Sequence, residues 1–148
     1  MAATTEEVTQ MAAAFLVAAL RIAIGLIFVA AGGSKVLRVA AVQHTVQQYA
    51  LVSTTLIRAL APLLGPAEIL IGTALVLSPW APVLAPARLA ALTLLALFSS
   101  AIGSALYRGL RIPCGCGVLL GDHVITSATL ARNLALLALL TLDTVLFR

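Results

Sequence analysis

Cys114 and Cys116, with Gly115 between them and Gly117 after them, are the two cysteines of a 148-residue chain. Thiols one residue apart can close a small disulfide ring, which the glycine helps by relaxing the backbone demand. Departures from relaxed geometry raise the reduction potential and make such a bond exchangeable, a redox device more than a staple. Arg108, Arg111 and His123 flank the pair closely enough in sequence to stabilise a thiolate, the reacting species in thiol exchange. With a single pair, the electrons must come from or go to another molecule. Two rival readings remain open. Cys114, Cys116, Asp122 and His123 could ligate zinc, and two thiolates could hold copper(I), but six residues between Cys116 and His123 is not a familiar zinc spacing, so no metal is assigned. The cysteines could also be inert small residues of a loop.

A second set of chemically capable residues lies within apolar runs. Arg21 is the one charge between Met11 and Gly33, and Glu68 lies in the run Ile57 to Ser78. At 1.5 Å per residue Arg21 is roughly 14 Å from the start of its run and Glu68 about 15 Å from the end of its own, so the two can meet at one depth. An unpaired charge near a bilayer centre costs several kcal/mol or more, so pairing across helices is expected, and such residues are functional candidates. The plainer alternative is a pair that only locks two helices together. Lys35, where the first run reaches the interface, reads as a snorkelling anchor, Asp143 as a helix-end residue and His44 as a solvated loop residue.

The elements that position these residues follow from composition. Hydrophobic residues make up 62% of the chain and charged ones 9%, against roughly 45–50% and about 25% in soluble domains. With a mean hydropathy of +1.14, the solvent must be lipid; a soluble globular protein, disorder, collagen and a disulfide-rich secreted module are excluded. The net charge of +4 comes from singly placed Lys and Arg, which form no nucleic-acid patch. Met1 to Gln10 carries Glu6 and Glu7 and no basic residue, unlike a signal peptide. Four spans are predicted, about 11–36, 57–78, 84–107 and 127–147, with the C-x-C loop at 108–126. The fold class is an all-α, up-and-down four-helix membrane bundle forming a single transmembrane domain. Gly65-Pro66 should kink or reset the second span. Ser99, Ser100, Gly103 and Ser104 give the third a face for close helix contact. Trp80 and Tyr107 suit the two interfaces.

Val39, Val42, Val46 and Tyr49 recur at helical spacing opposite Gln43, His44, Gln47 and Gln48, so loop one either holds a short surface helix or simply covers the bundle end. Six basic residues, Lys35, Arg38, Arg58, Arg108, Arg111 and Arg132, fall near loops one and three, and two, Arg88 and Arg148, near the other side. That count places the C-x-C loop in the cytoplasm.

Taken together, Arg21-x3-Gly25, Gly32 to Lys35, Glu68-x3-Gly72, Arg108-Gly109 ahead of Cys114-Gly115-Cys116-Gly117, and Arg132-Asn133 resemble the MauE/DoxX family of four-span, redox-associated membrane proteins. The family usually has an acidic residue before the first cysteine and an aromatic after the second; Pro113 and Gly117 stand there instead. The resemblance implies a bacterial-type inner membrane and thiol–disulfide chemistry, either the maturation of disulfide-containing periplasmic dehydrogenases or quinol-linked thiol homeostasis. A periplasmic role opposes the charge count. The resemblance also makes Cys114 and Cys116 the redox groups and Arg21, Lys35 and Glu68 parts of a shared pocket or proton relay. The expected function is electron exchange between the cysteines and a thioredoxin-like or client protein, linked to a quinone and with no covalent cofactor. The alternatives are a non-catalytic assembly subunit bound to a membrane partner or to a second copy, metal delivery, and, further off, a transporter that would have to dimerise.

Overall fold

The structure is a computed structural model that describes residues 5–51, 53–113 and 124–146. Its helices are α1 (Thr5–Leu37), α2 (Val39–Gln48), α3 (Thr54–Leu77), α4 (Pro86–Tyr107) and α5 (Ser127–Leu146), with one 3-10 turn at Pro82–Leu84 before α4. Among the described residues the only β pairing is an isolated bridge between Pro113 and Val124. Helices α1, α3, α4 and α5 are long and apolar enough to cross a membrane, so the fold is an all-α membrane bundle of four spans. Helix α1 is described from Thr5, and Glu6 and Glu7 near this end suit the positive pole of the helix dipole. Helix α3 starts at Thr54 because the Ser53 hydroxyl accepts the Leu56 amide at 3.5 Å.

Two sequence expectations are refined. Helix α3 is not reset at Gly65-Pro66 but runs unbroken through Pro62 and Pro66. Freed carbonyls are tolerated where a neighbouring helix covers them, and α1 lies against this stretch. The short helix in loop one exists as α2, and its buried Val42 packs on Ile57 and Ala61 of α3, so it covers the end of the bundle.

The tightest contact is between α1 and α3, which run antiparallel. A Cβ added at Gly25 or Gly72 would come within 2.6 Å of the other's carbonyl oxygen. One at Gly32 would meet the Gly65 carbonyl at 2.6 Å, and one at Gly65 the Gly32 carbonyl at 2.9 Å. The two glycines of each helix are spaced by seven residues, about two helical turns, so both contacts fall on one stripe of each helix. By contrast, a Cβ at Gly103 of α4 would meet only the tip of Leu130 at 4.0 Å, so the small residues predicted to bring α4 close do so far less than the glycines of α1 and α3. Helix α4 packs chiefly on α5, and the two helix pairs join around Ile24, Phe28, Leu75, Ala91, Leu95 and Leu140. Outside this core, large apolar side chains such as Leu70, Leu97 and Val145 are exposed, as lipid-facing residues must be. Trp80 and Tyr107 are exposed at opposite ends of α4, where amphipathic rings favour the two interfaces.

Gly72→Ala is expected to lower stability by about 1–3 kcal/mol through backbone overlap. Gly33→Ala, with nothing within 4 Å of the added methyl, should leave stability unchanged or raise it. Reversible unfolding of both variants in mixed micelles checks the contrast.

Candidate functional site: two buried ion-pair layers

Cβ atoms of a helix tilt toward its N-terminus, so on antiparallel neighbours two long side chains lean toward each other. Lys35 of α1 lies three residues beyond Gly32, and Glu68 of α3 three beyond Gly65, on opposite sides of that glycine contact. Their side chains converge on it: Lys35 Nζ donates to Glu68 Oε1 at 2.8 Å and to Oε2 at 2.7 Å. The ammonium also lies 5.4 Å from the centroid of the Phe98 ring of α4, within cation–π range. The Glu68 side chain is 2% exposed and that of Lys35 12%.

Arg21 pairs with Asp143, not with Glu68. Its Nε donates to both carboxylate oxygens at 3.1 and 3.0 Å, and Nη2 donates to Oδ1 at 2.8 Å, while Arg88 Nη1 of α4 lies 3.7 Å from Oδ2. The Asp143 side chain has no exposed surface and carries two guanidinium neighbours. The expected Arg21–Glu68 meeting fails because the glycines fix the α1–α3 register. With Gly25 against Gly72, Arg21 falls opposite Val76, eight residues or about 12 Å past Glu68. The two ion-pair layers are thus separated by the distance from Arg21 to Lys35, about 21 Å along α1. The apolar core lies between them.

The Lys35–Glu68 layer is in the half of the bundle that faces loops one and three. There Tyr49, Ala105, Ile112 and Ile125 form a buried cluster, and the Ile125 amide donates to the Ile112 carbonyl at 2.9 Å beside the Pro113–Val124 bridge. The two described ends of loop three, residues 108–113 and 124–126, therefore meet in a neck at the end of α4 and α5. Burial pushes the Tyr49 phenol above its usual value, so it stays neutral. Arg108 donates from Nε to the Ser104 carbonyl at 3.3 Å and from Nη2 to the Tyr49 carbonyl, tying loop one to loop three. Arg111 is exposed on the neck. Cys114, Cys116, Asp122 and His123 lie outside the described residues; among those described, no group of acidic, His or Cys side chains could hold a metal.

The family model described as Methylamine utilisation protein MauE matches residues 13–146. The chain belongs to the MauE family. The finding bears on the MauE half of the resemblance, not on DoxX. No curated protein and no solved structure matches the chain.

In this MauE protein, sequence reasoning undervalued three residues. Asp143, read as a helix-end residue, is the fully buried partner of Arg21. Asn133 and Ser99 are buried on α5 and α4. Asn133, Leu140 and Asp143 are spaced by seven and three, one face of a helix, and that periodicity was the available signal. Asp143→Asn should cost about 3–5 kcal/mol, because removing one partner of a buried pair strands the other charge. The double change Arg21→Met, Asp143→Leu should recover part of that loss in the same unfolding assay, Arg88 also losing this carboxylate neighbour.

Proposed function

We propose that this protein is a membrane thiol–disulfide redox component in which Cys114 and Cys116 exchange electrons with a thioredoxin-like or client protein. The observation that supports the reading is the pairing of Pro113 with Val124, the residues that flank the C-x-C segment, at the same end of the bundle as the Lys35–Glu68 layer. Membership of a family named for methylamine utilisation supports a role in maturing a redox enzyme. When the dithiol is oxidised to the disulfide, two electrons and two protons leave the pair. The partner's disulfide takes both and is reduced to two thiols, and a quinol in the lipid returns two electrons and two protons to re-form the Cys114/Cys116 dithiol; in the reverse direction the partner's dithiol reduces the Cys114–Cys116 disulfide, and a quinone takes two electrons and two protons from the resulting dithiol to re-form it. Arg108, Arg111 and His123 are near the cysteines in sequence, and positive charge beside a thiol favours the attacking thiolate. Lys35 and Glu68 hold or pass protons, and Arg21, locked to Asp143, supports the pocket from the opposite layer. The excess of basic residues around loops one and three favours a cytoplasmic partner.

A second reading, an assembly subunit, is favoured by one specific feature. The register places Leu77, the last residue of α3, opposite Leu20, so Thr5–Ala19 of α1 extends beyond α3, with Val8, Met11, Phe15 and Leu16 exposed. An apolar helical arm of this kind suits contact with another membrane protein or a second copy.

Cys114→Ser and Cys116→Ser should each abolish exchange with a thioredoxin-like disulfide in a single-turnover assay. One of the two should accumulate a mixed disulfide. Exchange retained in both single variants would sink the redox reading, and stoichiometric co-purification of a partner with the double variant would support the assembly reading.

A further inference from the structure

Ser99 on α4 is 7% exposed, and its hydroxyl has no hydrogen-bond partner among the described residues. Three other serines satisfy theirs by bonding back along a helix: Ser34 to the Ala31 carbonyl at 2.7 Å, Ser78 at the end of α3 to Leu75 at 2.8 Å and Ser100 to Leu97 at 2.8 Å. A buried hydroxyl without a partner costs about 1–3 kcal/mol, which a bound water can offset. The α4–α5 register runs through Arg88 beside Asp143 and Gly103 beside Leu130, which puts Ser99 opposite Asn133, another buried polar residue. Phe98, next to Ser99, is the ring under the Lys35 ammonium. Lys35, Glu68, Ser99 and Asn133 therefore occupy one level, with one polar side chain from each of the four spanning helices.

The two ways out of this level differ. Toward the termini and loop two, Leu95 lies one turn from Ser99, followed by Ala91, with Phe28, Ile24, Leu75 and Leu140 around them, all buried and apolar. Toward loops one and three, Ile102 and Ala105 of α4 are also buried and apolar, but beside them the Lys35 stem leads in two residues to the end of α1 at the exposed Leu37, and Lys35 keeps 12% of its side chain exposed.

We propose that these four residues form a water-binding site inside the membrane, reached from the side of loops one and three and sealed from the opposite side by the apolar core. Water bound to Ser99 and Asn133 there connects to the Lys35–Glu68 pair and gives protons a one-sided route to it. The inference does not depend on thiol chemistry at Cys114 and Cys116.

Single-cysteine variants test it in a Cys114→Ser, Cys116→Ser background, using a small charged, membrane-impermeant methanethiosulfonate on sealed vesicles of both orientations. Because only the hydrated thiolate reacts, Ser99→Cys and Asn133→Cys should be labelled at least about tenfold faster than Leu95→Cys. Labelling should come only from the face that also labels His44→Cys, an exposed position of α2. Labelling of both reporters no faster than Leu95→Cys, or from the opposite face, would overturn the proposal.

Discussion

The contact of Gly25 with Gly72 and of Gly32 with Gly65 fixes everything else in this bundle. Lipid tails are as apolar as leucine, so no hydrophobic force holds membrane helices to one another, and close packing must supply the attraction. Four glycines remove the side chains that would keep α1 and α3 apart, and each carbonyl then lies where a neighbour's Cβ would be. Such a contact has one register. Sliding the helices by a residue would set side chains against backbone and carry Lys35 away from Glu68.

Two consequences follow for charge. The register assigns Lys35 to Glu68 and leaves Arg21 a different partner, Asp143 of α5, so each cation is neutralised across helices. About 21 Å separates the layers in a hydrocarbon core roughly 30 Å thick, so both lie away from the midplane, where burying charge costs most. The layers are not equivalent. One is bidentate and fully desolvated at its carboxylate, a lock between α1 and α5 with α4 alongside. The other keeps a partly exposed lysine over an aromatic ring, next to an unsatisfied hydroxyl and below the neck of loop three. Structural locking suits the first and chemistry the second.

The four spans and the short helix of loop one were legible in the sequence because composition and periodicity depend on local residues. The ion-pair partners were not, because depth measured from the ends of apolar runs ignores the register between helices. Gly25 and Gly32, like Gly65 and Gly72, are seven apart in the sequence, and matching those spacings in antiparallel order would have set Lys35 and Glu68 on either side of the Gly32–Gly65 contact, leaning toward each other. Asp143 was hidden by its nearness to the chain end, although its spacing from Leu140 and Asn133 places it on the inward face of α5. The Gly65-Pro66 step does not reset α3, because α1 covers the stretch that the proline weakens.

The central claim, that glycine packing pairs Lys35 with Glu68 at the loop-three end of the bundle, is tested most directly by charge exchange read as unfolding midpoints in micelles. Lys35→Glu and Glu68→Lys should each lower the midpoint, and the double exchange should restore much of it. A double exchange no better than the worse single variant, or recovery instead when Arg21→Glu is combined with Glu68→Arg, would contradict the account.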